Sequence, residues 1–178
     1  MAVIHANTQQ IKQALADIRA GDEVYLSGTI YTARDAAHQR IRKAIESGKP
    51  LPFPLDGAVI YYAGPTPERP GRPIGSCGPT TSSRMDVFTP QLLQLGLAAM
   101  IGKGPRSPEV VQAIREHGAA YFCAIGGAGA LAAMAVRSLS VVAYEDLGCE
   151  SVKRLTVENF PVLCAIDRFG GNLFENKQ

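Results

Sequence analysis

Strands alternating with helices predict an α/β fold with parallel pairing in this chain. Three observations carry that expectation. From Gly57 onward, apolar runs at 57–63, 97–102 and 119–125 are separated by segments with helix starts and stops. The runs lack clean in-and-out alternation, which suits strands covered on both faces. The helix starts are explicit: Thr89-Pro90 and Ser107-Pro108 each place a capping hydroxyl before a proline at the first helical position.

Taken in order, Thr8 precedes Ile11, Leu15 and Ile18, spaced for one helical face, and Gly21 closes the run. Residues 23–31 alternate in part and are rich in β-formers, predicting a strand. Asp35 is read as the cap of a helix over 36–47 that ends at Gly48. Pro50, Pro52 and Pro54 break structure before the 57–63 strand, and a Gly/Pro-rich loop follows over 64–79. Helices are expected after Thr89 and Ser107, with a strand over 97–102 between them and another over 119–125 after Gly118. The Gly-rich stretch 126–130 leads into an Ala-rich helix to about Val136, and strands are expected at 141–144 and 161–166. The tail after Asp167 is short and polar. One domain is expected over 1–178, with its core at about 21–173.

With 178 residues the chain is long enough for a substantial core. Its net charge of +2 and the absence of any dense Lys/Arg tract give nucleic-acid binding little electrostatic support. No apolar run approaches the roughly 20 residues of a membrane span. Residues 1–17 lack the basic-then-apolar plan of a signal peptide, so a cytoplasmic protein is expected. Cys77, Cys123, Cys149 and Cys164 form no C-x-x-C pair, which argues against a structural zinc site or a redox pair. Cys123 and Cys164 lie in apolar runs and are read as core residues; Cys77 is read as a packed small residue beside a polar motif.

That motif is Gly78-Pro79-Thr80-Thr81-Ser82-Ser83-Arg84-Met85-Asp86. Hydroxyls donate to oxygen anions and arginine grips a carboxylate with two parallel bonds, so the segment suits a small anionic substrate. Serine-rich turns also serve as caps, and that structural role stays open. Arg34 and His38 stand four apart at a predicted helix start, where anions are favoured; taken alone, a capped surface helix with a solvated Arg and His explains them more readily. Lys103, between Gly102 and Gly104, follows an apolar strand, and in open α/β sheets ligands gather beyond the carboxyl ends of strands. The glycines at 126–129 lack the G-x-G-x-x-G spacing, and close packing explains them better than a dinucleotide. Glu145, Asp146 and Asp167 are left outside the catalytic set.

Ser27-Gly28-Thr29, Ala33-Arg34-Asp35-Ala36-Ala37-His38, Tyr61-Tyr62-Ala63-Gly64-Pro65-Thr66-Pro67, the hydroxyl motif and Ile101-Gly102-Lys103-Gly104 occur in this order, followed by Ala124-Ile125-Gly126-Gly127 and Val142-Ala143-Tyr144-Glu145-Asp146-Leu147-Gly148. The series resembles the β subunit, or C-terminal domain, of class I iron–sulfur fumarate hydratase, a family that includes L-tartrate dehydratase. The resemblance implies a swivelling β/β/α domain with a mixed, largely parallel sheet flanked by helices. It implies reversible hydration of fumarate to L-malate, a tricarboxylic acid cycle step. A [4Fe–4S] cluster is then held by three cysteines of an α subunit, not by this chain, and the active site is shared with that partner. A homodimer of the isolated chain is left open.

By the same resemblance, Arg34, Thr80, Thr81, Arg84 and Lys103 are expected to bind the C4 dicarboxylate. Thr80 or His38 is expected to move the proton, and the residues do not rank the two. The fumarase-like residues 61–67 and 84–86 favour fumarate over tartrate. A dicarboxylate-binding module without catalysis is the alternative of another class.

Overall fold

The computed structural model of the chain describes residues 1–125 and 128–175, the side chain of Ala128 excepted. Among these residues the strands are β1 (Val3–Asn7), β2 (Glu23–Thr32), β3 (Val59–Tyr61), β4 (Ala99–Gly102), β5 (Ala120–Ala124), β6 (Val136–Ala143) and β7 (Val152–Ile166). The α-helices are α1 (Ile11–Ala14), α2 (Asp35–Glu46), α3 (Thr89–Gln94), α4 (Pro108–His117) and α5 (Ala128–Ala135).

The expected parallel array is present: β1, β2, β3, β4 and β5 pair in that order, all parallel. The expectation of a sheet simply flanked by helices is corrected. The long β7 runs antiparallel to β2 and then to β5, so β2-β3-β4-β5-β7 close into a barrel, with β1 and β6 added at its sides. Closure needs strong local twist, and bulges supply it. One lies at Leu26/Gly28, where Gly28 takes φ +120° and a β-carbon would sit 2.2 Å from Thr8 Oγ1. Asn159 is left-handed at φ 52° on the facing strand and donates its N–H to Ser27 Oγ.

Alternate residues of each strand then separate into two packed layers, as the period of 2 requires. Val59, Tyr61, Ala99, Ile101, Ala120, Phe122, Val162 and Cys164 fill the barrel interior. Ile60, Tyr62, Met100 and Tyr121 point outward beneath Ala37 and Ile41 of α2, Leu92 and Leu93 of α3, and Val110 and Ile114 of α4. Fully burying each such large side chain contributes about 1.5–3 kcal/mol.

Several boundaries differ from expectation. The N-terminus is not an appended helix: Val3–Asn7 joins the sheet, and Ile11, Leu15 and Ile18 are core residues. Asn7, not Thr8, caps the first turn, because Thr8 Oγ1 is engaged by the Thr29 N–H. Strand β7 begins nine residues earlier than the 161–166 run, at Val152, since its first half exposes one edge of polar side chains. The two Ser/Thr-Pro starts are helices, although Phe88 takes the cap position of α3; Ser107 caps α4 through Val110 N and Gly118 ends it at φ 66°. The glycines 126 and 127 lie outside the described residues. No helix of the described residues is long and apolar enough to cross a membrane.

Candidate functional site

Because β2 to β5 are parallel, their carboxyl ends share one rim, and the segments that follow them meet there. Beyond β2, Ala33 N bonds Tyr61 O at 3.1 Å and Arg34 stands at the cap position of α2 in extended backbone. Asp35, expected as the cap, is instead the first helical residue, where a carboxylate complements the helix dipole. The Arg34 carbonyl accepts from His38 N at 2.9 Å and from His38 Nδ1 at 2.8 Å. That second bond makes Nδ1 the protonated nitrogen and leaves Nε2 an acceptor. His38 is 1% exposed, packed against Tyr62 and Phe88, and Nε2 has no partner among the described residues. Burial pulls its pKa down to about 4, with Arg106 adding to the shift, so the ring is neutral.

The hydroxyl segment is held between the ends of β3 and β4. Thr80 N donates to Tyr62 O at 2.7 Å, Ser82 N to Lys103 O at 3.0 Å, and Lys103 N to Ser82 Oγ at 3.0 Å. Thr81 and Lys103 pair as a parallel bridge. Gly102 is what permits this approach: a β-carbon there would lie 1.9 Å from Ser82 Oγ and 2.8 Å from the Tyr62 ring. Ser82 is therefore a buried scaffold hydroxyl, also 2.8 Å from the Tyr121 hydroxyl, while Thr81, Ser83, Arg84 and Lys103 are exposed and Thr80 is half-buried. The four consecutive hydroxyls thus do not act alike.

Arg84 closes the two segments on each other. It donates through Nη2 to Thr80 Oγ1 and lies 3.3 Å from Asp35 Oδ2, next to Arg34. So Thr80, Arg84 and the helix start carrying Arg34 come together, with Lys103 tied in through Thr81; His38 lies beneath them.

Residues that the sequence reading passed over support this arrangement. Asp86 binds the buried Arg106 at 2.6 Å and the Ser107 N–H at 2.8 Å, which anchors the short 3-10 helix Ser82–Met85. Gly64 lies against Arg34: a β-carbon at 64 would sit 3.3 Å from Arg34 Cδ and Nη1 and 3.1 Å from Cys149 O. Cys149 belongs to a 3-10 turn, Glu145–Glu150, docked on α2 by the Arg40–Asp146 ion pair. Motif membership was the available signal for Asp86 and Gly64; nothing local marked Arg106.

Of the remaining expectations, Cys77 and Cys164 are buried, Cys123 half-buried and Cys149 exposed, all free thiols. Gly129 does mark a close approach, to Ser76 and Gly78. Asp167 is 4% exposed and accepts from Ala20, Phe169 and Gly171 N–H groups, a structural staple. A cavity of about 860 Å³ lies between α4 and the C-terminal segment, lined in part by Arg106, Val111, Arg115 and Phe174 and by none of the candidate site residues.

The family model described as Fumarase C-terminus matches residues 1–177. The chain is 41% identical over 169 residues to fumarate hydratase 1, mitochondrial, of Leishmania major, covering 93% of this chain and 31% of that protein. It is 39% identical over 176 residues to the anaerobic class I fumarate hydratase of Escherichia coli strain K12, covering 96% and 32%. It is 37% identical over 170 residues to the L(+)-tartrate dehydratase subunit beta of the same strain, covering 92% and 83%. The chain therefore spans about a third of the two fumarate hydratases and most of the tartrate dehydratase subunit.

Proposed function

The chain belongs to the Fumarase C-terminus family, and from that premise we propose that it is the β subunit of a hydro-lyase that reversibly hydrates fumarate to L-malate in the cytoplasm. One observation carries the reading: Arg84 spans from Thr80 to Asp35, so hydroxyl and guanidinium groups from two strand ends line one open rim.

Arg34, Arg84 and Lys103 supply three cations for the two carboxylates of a C4 diacid, with the Thr80 and Thr81 hydroxyls as further donors. Two arginines in place of lysines favour planar, bidentate recognition. Hydration adds hydroxide to one alkene carbon and a proton to the other. Thr80 is assigned the proton at carbon. Its half-exposed hydroxyl supports this, and so does the Arg84 N–H donated to its oxygen, since such a bond stabilises the deprotonated form. His38, nearly closed to solvent, is instead assigned to holding Arg34 through its carbonyl.

A [4Fe–4S] cluster does not fit this chain. Cys77 and Cys164 are in the core, Cys149 is on a turn, and among the described residues no group of three His, Cys, Asp or Glu side chains is placed to hold a metal ion. We assign the cluster to an α partner, and derive no step from it. The open, cationic character of the rim supports a site completed by another surface.

A second reading, dehydration of L(+)-tartrate, is favoured by the 37% identity over 170 residues to an L(+)-tartrate dehydratase subunit beta. The test is to purify the chain with its co-eluting partner under anaerobic conditions and assay both substrates. Turnover of fumarate, lost in Arg34→Ala and Arg84→Ala, supports the proposal. Turnover of tartrate alone moves it to the second reading. Binding of either diacid by the intact complex without turnover points to a non-catalytic module.

A further inference from the structure

Lys153 is a buried lysine that the mechanism above does not use. It is 7% exposed at the start of β7, directly opposite Thr32 of β2, and its own N–H donates to Thr32 Oγ1 at 3.3 Å. It thus stands beside the strand end that delivers Arg34. No carboxylate pairs with it among the described residues. Its ammonium is shared among Ser151 Oγ at 2.8 Å, Cys149 O at 3.0 Å, and the Gly148 and Ser151 carbonyls at 3.3 Å. A buried ammonium held by one hydroxyl and three backbone carbonyls, with no carboxylate, is costly unless the turn it gathers is needed.

That turn is bent for the purpose. Tyr144 is left-handed at φ 58° and Gly148 is kinked at φ 61°, ψ −121°. The kink turns the carbonyls of 148 and 149 toward Lys153 Nζ. The Cys149 oxygen so fixed is one wall of a notch whose floor is Gly64 Cα. Arg34 is the other wall, with Cδ and Nη1 each 3.3 Å from the point where a β-carbon on Gly64 would stand. Arg34 Nε is buried in this notch with no hydrogen-bond partner among the described residues. Shape, not a bond, therefore orients its guanidinium.

We propose that Lys153 is a positioning residue: by gathering the 148–151 carbonyls it sets the Cys149 wall of the notch that holds Arg34 at the dicarboxylate site. The proposal rests on the reading of Arg34 as a substrate-binding residue. It separates binding from folding, because the floor of the notch can be altered without touching the ammonium. Gly64 carries no left-handed backbone requirement, so Gly64→Ala perturbs the notch through the new methyl alone.

The test uses the complex with its partner and compares Lys153→Met, Lys153→Arg, Gly64→Ala and Arg34→Ala. Lys153→Met and Gly64→Ala are each expected to raise KM for the diacid on the order of tenfold with kcat much less affected, as small displacements of an orienting group do. Lys153→Arg, which retains the cation and its donors, is expected to recover part of the loss. If KM stays within about twofold of the wild type in Lys153→Met while Arg34→Ala raises it, far short of what misplacement of a working group costs, the positioning role of Lys153 is wrong, whatever Gly64→Ala does, and the proposed function stands. If Arg34→Ala also leaves KM unchanged, the site assignment itself is wrong. Should Lys153→Met fail to fold, Lys153→Gln takes its place, and unchanged KM in that variant overturns the positioning role.

Discussion

Arg106 donates through Nε to Asp86 Oδ1 at 2.6 Å, and none of the Arg106 side chain is exposed. Its Nη2 reaches Tyr62 OH at 3.1 Å and Thr89 Oγ1 at 3.0 Å, and the guanidinium lies over the Tyr121 ring at 4.8 Å. This pair holds the end of the hydroxyl segment against the start of α4. Removing one partner strands a buried charge, which typically costs about 3–5 kcal/mol. Asp86→Ala is expected to lower unfolding free energy in urea by that amount. Pairing Asp86→Leu with Arg106→Met is expected to regain much of the loss, because an apolar replacement of both ions is often nearly neutral. A single mutant of wild-type stability would remove the anchor from this account.

Gly102 stands where the segment crosses β4. A methyl there meets Ser82 Oγ at 1.9 Å and the Tyr62 ring at 2.8 Å. Gly102→Ala is expected to destabilise by about 1–3 kcal/mol or more, the usual range for overpacking. It is also expected to shift the amide resonances of Thr80 to Arg84. Gly104→Ala meets nothing within 4 Å, yet its φ of 84° still strains a side chain, so that change is expected to act locally and leave those resonances in place.

His38 makes stability depend on pH in a defined window. Its folded pKa of about 4 lies below the ordinary 6.5 because burial disfavours the cation. Between those values the unfolded chain binds the proton and the folded chain does not, so stability rises with pH. It is therefore complete above about pH 6.5 and lost as pH falls toward 4, by about 3 kcal/mol for a shift of this size. Asp22, held below its usual range chiefly by the Ala2 and Arg19 N–H groups, acts in a separate window. Its contribution is present above its ordinary 3.8 and disappears only at still lower pH. Chemical denaturation from pH 4 to 7 is expected to show the slope in the wild type and a flatter profile in His38→Gln.

On the proposed reading of the site, Asp35 competes with a diacid for Arg84. The pair is 3.3 Å apart, with side chains 49% and 35% exposed, so its own worth is at most about 1 kcal/mol. Asp35→Asn is expected to leave the melting temperature nearly unchanged and to tighten diacid binding, measured by calorimetry on the complex. Weaker binding would mean that Asp35 orients Arg84 rather than competing for it.

Thr80→Val keeps shape but removes the hydroxyl. If Thr80 moves the proton, kcat is expected to fall by about 10²–10⁴, the usual contribution of a general acid–base group, with a smaller change in KM. Thr80→Ser is expected to retain most activity. Loss in Thr80→Ser with activity retained in Thr80→Val would assign the effect to packing of the methyl group.

Much of the α/β alternation was legible because its punctuation is local. Ser107-Pro108 and Gly118 bound α4 by capping and a left-handed stop, which need no distant partner. The site motifs were legible for the same reason, as contiguous residue types. The first half of β7 was not legible. Its alternation of buried and exposed residues has meaning only once β2 and β6 lie on either side.

The chain's sequence alone determined the family resemblance, the parallel β-α order and the candidate residues Arg34, Thr80, Arg84 and Lys103. These depend on local periodicity, turn chemistry and motif order. Only the tertiary structure decided that the sheet closes through β7. It also decided that Ser82 faces inward while Thr80 meets Arg84, that His38 is sealed beneath Arg34, and that Lys153 braces the far wall of its notch. The burial of Ser82 and the placement of Lys153 depend on which backbone each meets in the folded chain, and residues 21 or 121 positions apart carry no mark of that meeting in their spacing.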